Sequence, residues 1–391
     1  MAPNKLLLVL IASLLFILNI KAQAFDFNQG GFQEENYLIE LPYENIRGKI
    51  VVTVQVSGQP KRFLLDTGAP VAISERVYQE INPPILSKQE IFDIHNKKDS
   101  LVIVLLNDLK LDNSLISGMP AVVIKESLLK ECFNVDGFIG SNALRSSVIQ
   151  FDSKSKIIRI ASDISKLNIG AAKGADIILD RQSSPILKIK IGENISEMLI
   201  FDSGADEFYS MSNENLKKFK KAKGFKILAE SDGSNSIGLY GVAGNTLTFR
   251  LAIPSLIFNE IEISDVLAES DPDQNSRIGA KVLDYGIFTI DYKTRKSYFE
   301  PFEQPLKFRE KYWTVNPSFV EGKLVVGKIW AKEIKKLISI GDPIVSINGM
   351  RTEAMTICDV LMKLPLDTLM KATIEVKTKS GDVQIVEIAK Y

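Results

Sequence analysis

Hydrophobic and polar residues alternate in two separate stretches of the chain. Every second residue from Ile50 to Val56 is apolar, and this stretch ends at Gly58. Every second residue from Leu187 to Ile191 is apolar, and this stretch ends at Gly192. A period of two places alternate side chains on opposite faces of an extended chain. Each stretch therefore predicts a half-buried β-strand that turns into a hairpin.

These two strands open two copies of a longer internal repeat. An apolar run, residues 63–65 in the first copy and 199–201 in the second, leads into Asp-Thr-Gly-Ala at 66–69 and Asp-Ser-Gly-Ala at 202–205. Downstream elements recur at a constant offset of 139 residues: Ile139, Gly140, Leu144, Val148, Phe151, Asp152, Lys154 and Lys156 match Ile278, Gly279, Leu283, Ile287, Ile290, Asp291, Lys293 and Arg295. Such a repeat indicates duplicated structural units, here two lobes of similar size.

Both lobes contain short apolar runs broken by Gly, Pro, Asn and Asp, which favours strands over helices. Residues 213–221 are a helix candidate whose lysines form a solvated face. We therefore predict a mainly β fold, with a pair of β-barrel lobes over residues 25–170 and 171–304, followed by a smaller domain.

The pattern changes after Phe302. The sequence predicts strands at 324–329 and 344–347, short helices at 331–337 and 354–364, and a closing hairpin at 372–376 and 383–388. Residues 305–391 are thus expected to form a separate α+β domain of about 90 residues.

The N-terminus has the pattern of an export signal. Lys5 precedes an apolar run over residues 6–20, and Ala22-Gln23-Ala24 fits a cleavage site. The run is too short to span a membrane comfortably. Cleavage of residues 1–24 would leave a secreted or periplasmic protein with no stable membrane anchor. Residues 25–43 fit either a propeptide or a strand of the first lobe.

The amino-acid composition limits the partners and the kinds of catalytic or metal site that we expect. The 48 basic and 48 acidic residues balance, so no net charge indicates nucleic acid or anionic lipid as a partner. His95 is the only histidine, which argues against a zinc site and a serine triad, and we expect neither a metal nor a cofactor. Cys132 and Cys358 are the only cysteines. Because they fall in different predicted domains, we expect free, partly buried thiols rather than a bridge.

The two Asp-Thr/Ser-Gly loops point to a pair of carboxyl groups. Two adjacent carboxyls do not both ionise easily, so one can accept a proton from water while the other donates one. Asp66 and Asp202 are the expected pair, with carboxyls about 3 Å apart. The next two residues of each loop are expected to hydrogen-bond across the lobes and to allow close approach: Thr67 and Gly68, Ser203 and Gly204.

The segment from about Pro42 to Phe302 resembles the retropepsin-like and pepsin-like aspartic peptidases. The residues that carry the resemblance are Asp66-Thr67-Gly68-Ala69, Ile139-Gly140, Asp202-Ser203-Gly204-Ala205 and Ile278-Gly279. In this family the apolar-Gly element packs behind the catalytic loop, which implies that role for Gly140 and Gly279. The resemblance also implies that Asp66 and Asp202 activate water.

Two positions depart from the family pattern. Pro70 stands where pepsin-like members usually carry a Ser or Thr that hydrogen-bonds the first aspartate, and Asp206 stands at the matching position of the second copy.

We also expect a flap at 238–244 that includes Tyr240 and Gly241, since lids are commonly glycine-bearing loops. An ordinary surface hairpin is the alternative.

Residues 341–349, Gly-Asp-Pro-Ile-Val-Ser-Ile-Asn-Gly, resemble the G-D-x-I-x-x-I-N-G segment of PDZ domains, within roughly Leu306 to Tyr391. The resemblance implies that this domain captures a C-terminal peptide as an added strand. Residues 312–317 replace the usual carboxylate-binding loop, so a structural brace is the other interpretation.

The sequence thus predicts an exported aspartic endopeptidase that hydrolyses peptides or unfolded protein through an Asp66/Asp202 dyad. Its PDZ-like domain either recruits substrate or braces the peptidase. The alternative is a catalytically silent peptide-binding or adaptor protein on the same scaffold. Hydrolysis of a non-peptide substrate is a further option, because fold does not fix function.

Overall fold

β-strands dominate the fold. The computed structural model describes residues 26–92, 98–125, 128–234, 237–238, 241–242 and 244–391. The mainly β class predicted from the alternating pattern is confirmed. The predicted signal peptide at 1–24, His95 and Tyr240 lie outside the described residues.

The first lobe forms a sheet that contains the first alternating stretch, whose apolar side chains from Ile50 to Val56 are buried. Its described strands are β1 (Gly31–Phe32), β2 (Leu38–Ile46), β3 (Lys49–Val56), β4 (Gln59–Asp66), β5 (Ala72–Ser74), β6 (Ile85–Phe92), β7 (Lys98–Leu106), β8 (Leu109–Leu111), β9 (Ser114–Ser117), β10 (Met119–Ile124), β11 (Gly137–Gly140), β12 (Val148–Asp152) and β13 (Ile157–Ala161). Its described helices are α1 (Glu75–Ile81), α2 (Leu128–Phe133) and α3 (Ser141–Leu144), with a 3₁₀ turn at Ile164–Lys166.

The second lobe repeats this plan. Its described strands are β14 (Ala175–Asp176), β15 (Ile178–Leu179), β16 (Pro185–Ile191), β17 (Ile195–Asp202), β18 (Tyr209–Ser212), β19 (Lys226–Gly233), β20 (Ile237–Gly238), β21 (Gly241–Val242), β22 (Thr246–Phe258), β23 (Ile261–Asp271), β24 (Arg277–Gly279), β25 (Gly286–Asp291), β26 (Lys296–Pro301) and β27 (Leu306–Lys307). Helix α4 (Asn213–Phe219) matches the helix predicted at 213–221, and a 3₁₀ helix covers Ala280–Asp284. Ser212 caps α4 by accepting a hydrogen bond from the Asn215 N–H (3.1 Å).

One sheet joins the two lobes, with the strand order β14-β26-β25-β12-β13-β2. In its centre, β12 and β25 run antiparallel, with Gln150 opposite Thr289. Gln150 Nε2 donates to Thr289 Oγ1 at 3.1 Å. These two residues are also 139 positions apart in the sequence, so each faces its own counterpart in the repeat. The approximate twofold axis between the lobes therefore passes close to this pair.

Strand β2 takes part in the first lobe. β2 pairs with β13 on one side and with β3 on the other. Of the two readings left open for residues 25–43, the structure supports a lobe strand from Leu38 onwards.

The C-terminal domain has its own small core. Its elements are β28 (Val315–Val320), β29 (Lys323–Ile329), β30 (Ile344–Ile347), β31 (Met350–Arg351), α5 (Ile357–Lys363), β32 (Lys371–Lys377) and β33 (Val383–Ala389), with 3₁₀ turns at Ile334–Lys336 and Pro365–Asp367. The predicted strands and closing hairpin are found. The helix predicted at 331–337 is only a 3₁₀ turn, because the chain turns again at 338–343 to enter β30. The helix predicted at 354–364 is shorter, because Thr356 and Asp359 form a capping box at its start.

The expectation of free thiols is wrong. Cys132 in α2 and Cys358 in α5 form a disulfide. Their assignment to different domains had argued against a bridge, but α2 and α5 pack against each other. Leu361 and Met362 of α5 join an apolar cluster of the first lobe that includes Phe133. Contact between the domains therefore brings together two cysteines that are distant in sequence.

A fully buried arginine joins the C-terminal domain to the second lobe. Arg250 on β22 is 0% exposed and donates to the Trp313 carbonyl oxygen (3.0 Å) and the Tyr391 hydroxyl (2.7 Å). Its guanidinium lies 4.1 Å from the ring centroid of Trp330 and forms an ion pair with Glu269 (2.6 Å). A buried cation is tolerated only with such a set of partners, so the contact fixes the domain on this lobe.

Removing the disulfide should loosen the C-terminal domain from the first lobe. The double change Cys132→Ser and Cys358→Ser is expected to lower the free energy of unfolding by about 2–4 kcal/mol, because the bridge restricts the unfolded chain. Urea unfolding of the variant and the wild type measures this difference. Equal unfolding midpoints would contradict the pairing, and a reducing agent should destabilise only the wild type.

Candidate active site

Asp66 and Asp202 end two strands that the duplication relates. Asp66 is the last residue of β4, and Gly140 of β11 lies opposite it in a parallel ladder. Asp202 is the last residue of β17, and Gly279 of β24 lies opposite it in the same way. A side-chain carbon at Gly140 or Gly279 would lie 2.2 or 2.3 Å, respectively, from a main-chain atom of the neighbouring loop. Both positions therefore require glycine.

The residues after the aspartates lock the two loops together. The Thr67 N–H donates to Ser203 Oγ, and the Ser203 N–H donates to Thr67 Oγ1, both at 3.0 Å. Each hydroxyl also donates to a carbonyl of the other lobe, Thr67 to Phe201 (2.7 Å) and Ser203 to Leu65 (2.8 Å). Thr67 and Ser203 are fully buried, so water does not compete for these bonds. The expected cross-lobe hydrogen bonds are present.

Gly68 and Gly204 let each carboxyl pack against the opposite loop. The N–H of each glycine donates to Oδ1 of the aspartate in its own loop, at 2.9 Å in both cases. A side-chain carbon at Gly68 would lie 2.7 Å from Cγ of Asp202, and one at Gly204 would lie 2.5 Å from Cγ of Asp66. Any larger residue would push the carboxyls apart.

The protonation of the pair follows from this packing. Burial raises the pKa of Asp66, and the charge of Asp202 raises it further. The hydrogen bond from the Gly68 N–H acts in the opposite direction. A hydrogen bond with the Asp202 carboxyl also raises the pKa of Asp66. The net effect favours the protonated form of Asp66.

Arg277, which the sequence analysis missed, lies beside Asp202. Its Nη1 is 3.6 Å from Asp202 Oδ2, and its Nε is 3.9 Å from Glu207 Oε1. Arg277 opens β24 at the position where the first copy has Phe138, 139 residues earlier. Comparison of the two copies at this position could have found it. The two aspartates thus differ in their electrostatic surroundings.

The two positions that depart from the family pattern lie at the edges of the site. Pro70 packs over Gly140, and Asp66 takes its main-chain hydrogen bond from Gly68 instead. The Asp206 side chain is 62% exposed, with Oδ1 3.8 Å from Lys49 Nζ. Its neighbour Glu207 is half-buried, and burial raises the pKa of Glu207 to about 7.

Two further side chains reach the glycine carbonyls of the loops. Lys49 Nζ donates to the Gly204 carbonyl oxygen (2.6 Å), and Gln182 Nε2 donates to the Gly68 carbonyl oxygen (3.1 Å). Lys49 is the first residue of β3, directly after a hairpin turn, and Gln182 lies in the hairpin turn before β16. The two turns hold equivalent places in the two copies. No sequence pattern marks these two residues, because they lie outside the repeated motifs.

The flap assignment stays a prediction. Gly241 lies opposite Gly238 in the short β20–β21 pair, between β19 and β22. β21 lies next to β28 of the C-terminal domain. In the first lobe the β6–β7 hairpin holds the place of the β19–β22 hairpin.

The described residues were compared with the requirements of a metal site and of a membrane-spanning helix. Within the described ranges, no group of three or more His, Cys, Asp or Glu residues is placed to hold a metal ion. In the same part of the chain, no helix has the length and apolar character needed to cross a membrane.

Known structures give low-similarity matches. Basic 7S globulin from soybean matches at 11% identity with a TM-score of 0.40, and conglutin gamma from lupine seeds at 10% and 0.39. Each match covers 68% of this chain and 95% of the other. A retropepsin-like aspartic protease from Rickettsia conorii matches at 14% identity with a TM-score of 0.26, over 33% of this chain and 94% of that one.

Sequence comparison locates one family match. No curated protein sequence matches the chain. Residues 52–143, which include Asp66 and Gly140, match the family model described as aspartyl protease.

Proposed function

We propose that the chain is an exported aspartic endopeptidase in which Asp66 and Asp202 are the catalytic residues. One observation carries the proposal: the hydrogen bonds between the two loops hold the carboxyl of each aspartate against the loop of the other lobe. The aspartyl protease family match supports it, since residues 52–143 include the first of these loops.

The two aspartates have different roles in this proposal. Arg277 lies 3.6 Å from Asp202 and is a counter-ion for a carboxylate there, which makes Asp202 the general base. Burial and the adjacent negative charge raise the pKa of Asp66, which makes Asp66 the general acid. The arginine thus breaks the symmetry that the duplication created.

Hydrolysis would proceed by attack of water on the peptide carbonyl carbon. Asp202 accepts a proton from the water as the new C–O bond forms, and Asp66 donates its proton to the carbonyl oxygen, which gives a gem-diol. The C–N bond then breaks as Asp202 passes its proton to the nitrogen. Asp66 takes a proton from a gem-diol hydroxyl. The pair returns to its starting protonation state.

The proposed substrate is a peptide or unfolded protein, and the proposed location is secreted or periplasmic. The Cys132–Cys358 disulfide supports export, because disulfides form and persist in oxidising compartments. The pattern of residues 1–24 is that of a cleavable signal.

The PDZ-like domain at 305–391 is proposed to brace the peptidase. It is joined to the first lobe by the disulfide and to the second lobe by Arg250. The Thr314 N–H donates to the Ala389 carbonyl oxygen (2.9 Å), and β28 begins at the next residue. The segment that replaces the usual carboxylate-binding loop is thus paired with the chain's own last strand, which favours bracing over capture of a C-terminal peptide.

Replacing either aspartate should abolish hydrolysis of an unfolded protein. Asp66→Asn and Asp202→Asn should each lower kcat by about 100-fold or more, because an amide cannot exchange the required proton. Asp206→Asn is the matched control, since Asp206 lies in the same loop but is 62% exposed, and it should stay near the wild-type rate. Wild-type rates in both dyad variants would refute the assignment, and binding without cleavage by the wild type would favour the silent adaptor.

The rate should depend on pH through the shared proton. Catalysis needs Asp66 protonated, and the pKa of Asp66 is raised to about 8. kcat/KM should therefore persist at neutral pH and fall as pH rises through about 8, because the general acid loses its proton. A pH–rate profile that still rises above pH 8 would contradict this mechanism.

Arg277→Phe gives the second copy the residue found in the first. Loss of the cation destabilises negative charge in the pair, so the alkaline limb of the pH–rate profile should move to higher pH. Arg277→Lys keeps the charge and should shift this limb less. A lower rate with an unmoved limb would show that Arg277 has only a structural role.

A further inference from the structure

A cavity of about 480 Å³ opens at the junction of the lobes, and neither catalytic aspartate lines it. The lining residues used below are Tyr43, Asn45, Lys154, Lys156, Asp284 and Phe302. A smaller cavity shares part of this lining and extends to Gly48, which packs against Asp206. The two cavities form one groove, the junction groove, which leads from the surface towards the Asp202 loop.

The approximate twofold axis relates the junction groove to a second groove, the counterpart groove. Part of the chain itself fills this counterpart groove. Lys281 and Asp284, at the junction groove, correspond to Asn142 and Arg145 at the offset of 139. Both of these counterparts donate hydrogen bonds to main-chain carbonyls of residues 27–30, Asn142 at 3.2 Å. An N-terminal segment therefore lies across the counterpart groove.

The hairpin turns at the two grooves correspond as well. The turn at 180–184 holds the N-terminal segment through Asn28, whose Nδ2 donates to the Arg181 carbonyl oxygen (2.8 Å) and whose Oδ1 accepts from Ser183 Oγ (2.7 Å). The turn at 45–49 is its counterpart, since each turn also donates to the glycine carbonyl of the opposite catalytic loop. None of the hydrogen bonds among the described residues brings a comparable segment across the junction groove.

The chemistry of the junction groove is rich in donors and positive charge. Burial raises the pKa of Tyr43 to about 12, so its hydroxyl stays protonated, and it has no hydrogen bond among the described residues. Lys154 Nζ lies 4.0 Å from the ring centroid of Phe302. Neither Lys154 nor Lys156 pairs with a carboxylate in the described structure, whereas Asp284 is already paired.

We propose that the junction groove binds a peptide segment with acidic side chains, just as residues 27–30 occupy the counterpart groove. Lys154 and Lys156 supply the charge complementarity, and the Tyr43 hydroxyl and the Asn45 amide supply donors. The volume is within the range of ordinary ligand sites. This site is separate from the dyad and does not require the chain to be a peptidase.

Fluorescence anisotropy tests the proposal with a short labelled peptide that is acetylated, amidated and contains several aspartates. A second labelled peptide, the control, has asparagine in place of each aspartate. The mature chain carries Asp202→Asn throughout, so that no cleavage complicates binding. The groove variant is Lys154→Glu with Lys156→Glu. The matched control is Lys188→Glu with Lys190→Glu, which changes two exposed lysines of the same spacing on β16.

The acidic peptide should bind, and the asparagine peptide should bind about tenfold more weakly or not at all. The groove variant should lose about tenfold or more in affinity, Tyr43→Phe should lose severalfold, and the control variant should bind as the parent does. Equal affinity in the groove variant, an equal loss in the control variant, or no binding of the acidic peptide would each overturn the proposal. Because binding is measured on an inactive chain, its failure says nothing about hydrolysis by the dyad.

Discussion

The hydrogen bonds between the Thr67 and Ser203 loops are the interaction on which the site depends. Two carboxylates repel each other, so a fold that brings them together must hold both loops in a fixed frame. Here each loop bonds to the other through a main-chain N–H and a buried hydroxyl. The loops follow β4 and β17, strands that lie inside the sheets of the two lobes. Packing of both lobes therefore fixes the carboxyl positions.

Duplication provides the symmetric frame, and divergence between the copies provides the chemistry. Arg277 stands where the first copy has Phe138, which makes one aspartate a base and the other an acid in the proposed mechanism. The two copies differ in the same way at the two related grooves. Residues 27–30 fill the counterpart groove, whereas Lys154 and Lys156 line the junction groove. The C-terminal domain contacts both lobes, and this restrains their relative motion.

The sequence predicted the features that depend on local pattern. Period-two alternation identified β3 and β16, and the repeat identified Asp66, Asp202 and the glycines beside them, because each element repeats within a short stretch. The Cys132–Cys358 bridge was missed because it depends on how the C-terminal domain docks against α2. Arg277, Lys49 and Gln182 were missed because their roles come from contacts between distant segments. The helix expected at 331–337 was wrong because a turn into β30 follows at once.

A carbon-13 NMR titration of the aspartate carboxyl groups detects the shared proton itself. One aspartate carboxyl should stay protonated at neutral pH, titrate near pH 8, and be absent from the spectrum of Asp66→Asn. In Asp202→Asn the titration of that carboxyl should move to lower pH, because the neighbouring negative charge is gone. A wild-type chain in which every aspartate is ionised at neutral pH would contradict proton sharing between Asp66 and Asp202.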